Sequence, residues 1–135
     1  MQALSHPYLA AGFAAMAHRG GWVDPDDSPR ENTVHAFRRA SDLGYRYIET
    51  DVRTTADGEL VIFHDDLLDR ATDATGAVAD HTWPGLAGVL VNGTDPVPRF
   101  VDVMEEFPHL RFNVDVKEDR SVAPLAEAIR RLDAA

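Results

Sequence analysis

The chain contains no cysteine, which removes disulfide bridges and all thiolate chemistry from consideration. That absence is compatible with reducing surroundings, and a cytoplasmic address is the expectation it carries. No apolar run approaches the ~20 residues of a membrane-spanning helix. The stretch from Tyr8 to Ala17 has the apolar look of a secretory signal. It lacks a basic segment before it and runs straight into His18-Arg19-Gly20-Gly21, so it reads as a lead-in to a first strand. Positive charge is also scarce: 13 Lys and Arg stand against 23 Asp and Glu, for a net charge of -10. Such a field repels nucleic acid and anionic membrane surfaces, so neither is an expected partner. It opposes an anionic small molecule too, so phosphate chemistry here would need local cationic side chains or a bound cation.

What is present is ordinary globular composition, 44% hydrophobic and 27% charged over 135 residues, enough for one domain with a real core. Phe13 to His18 is short and apolar and meets Gly20-Gly21, which suits a buried strand ending in a tight loop. Trp22 to Arg30, with three aspartates and two prolines, reads as a loop. A helix is predicted from Asn32-Thr33 to about Leu43, with Val34, Phe37 and Ala40 on one stripe and Gly44 as its stop. Tyr45 to Val52 is β-rich, Ala56-Asp57-Gly58 signals a turn, and Leu60 to Phe63 follows as the return strand of a hairpin. Leu67 to Pro96 shows no sustained period, and a segment of that length is expected to hide function or small elements. Phe100, Val103, Met104 and Phe107 mark a helix closed by Pro108, Leu110 to Val116 a strand, and Ala123 to Leu132 a last helix. Strand and helix alternate about three times, which predicts an α/β fold on a parallel sheet.

Several side chains break the apolar pattern in a way that suggests chemistry. Glu49 and Asp51 lie two apart on a predicted strand and so project from one face. Like charges that close are stable only with a cation between them; a solvated edge strand with two harmless acids is the alternative at this point. The strand Phe112 to Lys117 repeats the arrangement, with Asn113, Asp115 and Lys117 on the polar face. Asp115 could supply a third ligand and Lys117 a cation for a phosphate oxygen; the alternative there is a salt bridge on an exposed strand. Oxygen-only ligands favour a hard ion, Mg²⁺ or Ca²⁺. His18 and His64 each end a short apolar strand, where proton transfer near neutral pH is available, and Arg19 can grip a phosphate with two parallel hydrogen bonds. His6, His35, His81 and His109 are read as structural.

The ordered segments AHRGG, ENTVHAF, YIETDVRTTADGELVIFHDD and FNVDVKED resemble the glycerophosphodiester phosphodiesterases, a TIM-barrel family. Each segment alone is weak; four in order, from about Ala17 to Lys117, are highly specific. The resemblance implies a (β/α)8 barrel of which these 135 residues supply about the first three βα units, with a hairpin and small insertion after the second strand. A full barrel takes roughly 250 residues, so residues 1–135 are expected to be the N-terminal portion of one such domain. It further implies His18 and His64 as catalytic histidines, and Arg19 and Lys117 as phosphate-binding. Glu49, Asp51 and Asp115 become ligands of a divalent cation, Mg²⁺ or Ca²⁺, with Glu31 and Asn32 bordering the site. The expected reaction is hydrolysis of a glycerophosphodiester to glycerol 3-phosphate and an alcohol. Rivals are a lysophospholipase D or phosphoinositide-type phospholipase, a binding module, and an incomplete fragment whose open sheet edges would favour self-association. Asp115 stands where many relatives carry glutamate, one methylene longer; the adjacent Glu118 is expected on the opposite strand face.

Overall fold

The computed structural model describes residues 7–9, 12–21 and 30–133. His6, residues 10–11 of the lead-in and residues 22–29 of the expected loop lie outside them. Strand β1 spans Met16–His18, helix α1 Val34–Asp42, β2 Tyr47–Thr54, β3 Leu60–Ile62, β4 Leu90–Val91 and β5 Asp95–Pro96. Helix α2 spans Phe100–Glu106, β6 Arg111–Val116 and α3 Val122–Leu132. The central strand is β2. It pairs in parallel with β1 on one side (His18 opposite Glu49) and with β6 on the other, from Tyr47 opposite Arg111 to Val52 opposite Val116. Three parallel strands thus stand in chain order, each followed later by a helix, which is the repeating arrangement of a (β/α)8 barrel.

Local chemistry sets the element ends. The Thr33 hydroxyl accepts from the Ala36 amide and caps α1, one of the donors a helix N-terminus leaves unpaired. At the other end Gly44 takes φ +95°, and the Tyr45 amide is spent on the Ala40 carbonyl. That helix stop delays β2 to Tyr47, two residues later than its composition suggests. β1 is shorter than expected for a related reason: Phe13 is 87% exposed and contributes nothing to the sheet.

Alternation builds two cores from one hairpin. Val52, Arg53 and Thr54 of β2 pair antiparallel with Ile62, Val61 and Leu60 of β3. Leu60 and Ile62 face the main core with Phe37, Ile48, Val52, Phe100, Val103 and Phe107. Val61 and Phe63, pointing the other way, join Leu68, Val78, Leu86, Val89, Val91 and Val97 in a second cluster. The aperiodic segment 67–96 is therefore a folded insertion with its own apolar centre, two short 3-10 turns and the β4–β5 hairpin. In the main core the Phe37 ring meets Phe107 and Phe112 edge-on, with centroids 6.3 and 5.6 Å away.

Candidate active site

The register of β2 against β6 creates the site's centre. Asp51 lies opposite Asp115 and Glu49 opposite Asn113, so Glu49, Asp51 and Asp115 share one face at the C-terminal ends of parallel strands. One carboxylate oxygen from each lies within 4.8 Å of the others. The missing methylene of Asp115 does not keep it out of the cluster. An all-oxygen donor set of this kind fits a hard divalent cation, and the cluster is a candidate metal site. Asp51 is 1% exposed and depends on its neighbours. Asn32 Nδ2 donates to its Oδ2 at 2.9 Å, Lys117 Nζ stands 3.4 Å from Oδ1, and Arg19 Nε stands 3.8 Å from Oδ2.

Lys117, the chain's only lysine, donates to Asp115 Oδ2 at 2.7 Å. That hydrogen bond, with the charges of Asp51 and Asp115, outweighs desolvation and holds the ammonium pKa above its ordinary value. The salt bridge that the sequence allowed on this strand is therefore present, between Lys117 and Asp115. Glu118 goes elsewhere: its Oε1 accepts from the Thr54 amide at 2.9 Å and from the Ser121 hydroxyl at 3.2 Å.

The loop after β1 turns sharply, and it does so through left-handed backbone. Arg19, Gly20 and Gly21 have φ of 53°, 90° and 83°, a region where glycine is free and other residues are strained. The turn aims the Arg19 amide at Glu49 Oε2, 3.1 Å away. It also presses Gly20 onto α1, where an added Cβ would meet Ala36 Cβ at 2.8 Å. His18, 70% exposed at its side chain, has Nε2 3.8 Å from Glu49 Oε2. Arg19 Nε is buried and makes no hydrogen bond among the described residues, while Nη1 donates to Glu31 Oε2 at 2.6 Å.

His64 follows the return strand of the predicted hairpin. That strand, β3, runs antiparallel to β2, so its end descends again, and the Phe63 amide donates to the Asp51 carbonyl. The hairpin therefore returns His64 to the level of the carboxylates. There its Nδ1 lies 2.6 Å from Asp65 Oδ1.

Glu31 and Asn32 are more than a border. Asn32, at φ 55°, accepts from the Thr50 hydroxyl at 2.8 Å while donating to Asp51. Glu31, 6% exposed, takes Arg19 on one oxygen and Arg70 on the other, both at 2.6 Å. Burial pushes its carboxyl pKa up, but the two arginine hydrogen bonds and their charges prevail and leave it below the ordinary value. Arg70 also grips Asp65, Nε to Oδ2 at 2.8 Å and Nη2 to Oδ1 at 3.1 Å. Those bonds foremost, with the His64 contact and against desolvation, hold the Asp65 carboxyl down to about 2. Sequence reasoning missed Arg70, which sits in an aperiodic segment; a cation five residues after His64-Asp65 was its one trace. His81 Nδ1 bonds the nearby Ala77 carbonyl, and His109 Nε2 bonds the Ser41 hydroxyl at the far end of α1.

Comparison with known proteins identifies the family. The glycerophosphoryl diester phosphodiesterase family matches residues 18–133. A probable glycerophosphodiester phosphodiesterase 2 of Mycobacterium tuberculosis is 37% identical over 123 residues, covering 91% of this chain and 46% of that protein. A human lysophospholipase D is 30% identical over 131 residues, covering 86% of this chain and 40% of its own length. The crystal structure of an Agrobacterium tumefaciens glycerophosphodiester phosphodiesterase superposes with a TM-score of 0.78 at 30% identity, over 89% of this chain and 53% of the other. These neighbours support the α/β TIM-barrel fold. The chain spans about half the length of the relatives it matches. It belongs to the glycerophosphoryl diester phosphodiesterase family.

Proposed function

We propose that the protein hydrolyses glycerophosphodiesters to glycerol 3-phosphate and an alcohol, with a divalent cation, Mg²⁺ or Ca²⁺, at Glu49, Asp51 and Asp115. The observation that carries this proposal is the meeting of those three carboxylates within 4.8 Å beside Arg19, Lys117 and His18. In a chain of net charge -10, Arg19 and Lys117 supply the local positive charge that an anionic phosphodiester needs. When bound, the cation adds a positive centre that polarises a non-bridging phosphate oxygen.

The remaining work falls to the chain's own side chains. Arg19 and Lys117 offset charge on the equatorial oxygens, where the transition state spreads it. His18, open to solvent beside Glu49, accepts the proton of the attacking hydroxyl. His64 donates a proton from Nε2 to the departing alkoxide, because Nδ1 is committed to Asp65. Such acid–base assistance is typically worth ~10²–10⁴-fold for each group. The attacking hydroxyl is either water or the substrate's own glycerol hydroxyl, which would pass through a cyclic phosphate.

Phosphorus NMR on a glycerophosphodiester, with and without chelator, tests the proposal. Glycerol 3-phosphate should appear only with a divalent cation and be lost in His18→Ala. Undiminished turnover under chelation, or in that variant, would refute it. A lysophospholipid belongs in the same assay, because one relative is a lysophospholipase D and Leu67, three residues past His64, is 47% exposed. Faster turnover of the lysophospholipid would move the preferred substrate to that class.

A further inference from the structure

Arg70 joins two side-chain groups of the site through direct hydrogen bonds. One guanidinium holds both oxygens of Asp65 and one oxygen of Glu31. Asp65 in turn holds His64 Nδ1, and Glu31 holds Arg19. His64, Asp65, Arg70, Glu31 and Arg19 therefore form one chain of alternating charge, from the proton donor proposed for the leaving group to the arginine proposed for the phosphate.

Stability is a poor reason for this arrangement. The Arg70 side chain is 52% exposed, and exposed ion pairs contribute little. Glu31 is nearly buried, and taking a carboxylate out of water costs more than most pairs return. Geometry is the better reason. A guanidinium fork fixes the plane of the carboxylate it grips, and a fixed Asp65 fixes both the tautomer and the rotation of the His64 ring.

We infer that Arg70 is a positioning residue for the reaction proposed above: it pins Asp65 so that His64 presents Nε2 to the leaving oxygen, and it anchors that pair to Arg19 through Glu31. The inference rests on the proposed phosphodiesterase activity. Arg70 touches neither the reacting atoms nor the cation ligands. Arg53 adds a second restraint on the same residue, since its Nε donates to the His64 carbonyl at 2.9 Å.

The test compares Arg70→Met and Arg70→Lys with wild type on two diesters, one with an alkoxide leaving group and one with nitrophenolate, which departs without a proton. Arg70→Met should lower kcat on the alkyl diester by ~10²-fold or more, the scale of acid catalysis, and on the nitrophenyl diester by less than ~10-fold. Arg70→Lys should recover only part of the loss, because an ammonium cannot hold both oxygens of Asp65. Equal losses on the two diesters, or full recovery with lysine, would overturn the positioning role and leave the proposed activity intact. Nitrogen-15 NMR of the histidines reads the same role without turnover. The His64 Nδ1 proton should be protected in wild type and exchange freely in Arg70→Met. If wild type hydrolyses neither diester, the proposed activity fails, and this signal alone decides the positioning role: persistence of the protected proton in Arg70→Met overturns it.

Discussion

Replacing Asn32 by alanine removes the side chain that braces the buried carboxylate, and the structure lets its cost be assembled from parts. The first part is the 2.9 Å donation to Asp51; a hydrogen bond to a charged group contributes about 1.5–3 kcal/mol. The second is the Thr50 hydroxyl, fully buried and bonded to Asn32 Oδ1. Left without an acceptor, it costs about 1–3 kcal/mol, less if water enters the space. The third is the backbone. Asn32 sits at φ 55°, which asparagine tolerates, whereas other residues pay about 1–2 kcal/mol there. Together these span about 3.5–8 kcal/mol for Asn32→Ala, and water entering the space holds the expected loss to the lower part of that range, still a large fraction of a typical domain's stability. Urea unfolding should show it as a lower midpoint at unchanged slope. Asn32→Gly separates the terms: it loses the same bonds but relieves the backbone, and should be about 1 kcal/mol more stable than the alanine variant. A loss below about 1 kcal/mol in Asn32→Ala would refute the claim that Asn32 braces Asp51.

Other consequences follow from the same geometry. Gly20→Ala places a Cβ 2.8 Å from Ala36 Cβ and 3.0 Å from the Phe37 ring at a φ of +90°. It should lower the melting temperature and reduce kcat, since the displaced turn carries His18 and Arg19; overpacking alone costs about 1–3 kcal/mol. Phe37→Ala empties a fully buried position between two aromatic edges and should cost about 3–5 kcal/mol by denaturant titration. Asp65 is held at about 2, below its ordinary 3.8, so its pairing adds a small stabilisation above about pH 4, small because Arg70 is half exposed. That contribution fades as the pH falls from about 4 to about 2. Urea midpoints should show the gap between wild type and Arg70→Met closing over that window, and a gap that is constant with pH would contradict the pairing.

What the sequence disclosed and what it hid divide along physical lines. Helix α1 was legible because Thr33, Phe37 and Gly44 are local signals for a cap, a stripe and a stop. Glu49 and Asp51 were legible because a two-residue spacing on a strand fixes a shared face. The alignment of Asp115 with Asp51 was not, since strand register is set by packing of the whole sheet. His64 was legible at the end of a hairpin's return strand, but its level beside Asp51 was not, because it follows from the register of β3 on β2. Segment 67–96 hid its order because its core, from Leu68 to Val97, is assembled by turns and short pairings without a period. Arg70 stayed hidden within it for the same reason.

The most direct measurement is a calorimetric titration of Mg²⁺, then Ca²⁺, into the cation-free protein and into Asp51→Asn and Asp115→Asn. Wild type should bind one ion and gain about 2.7 kcal/mol of stability at a free concentration of 100 Kd, and both variants should lose that binding and that gain. Binding of either ion with equal affinity in wild type and both variants would show that Glu49, Asp51 and Asp115 do not form the cation centre on which the proposed hydrolysis depends.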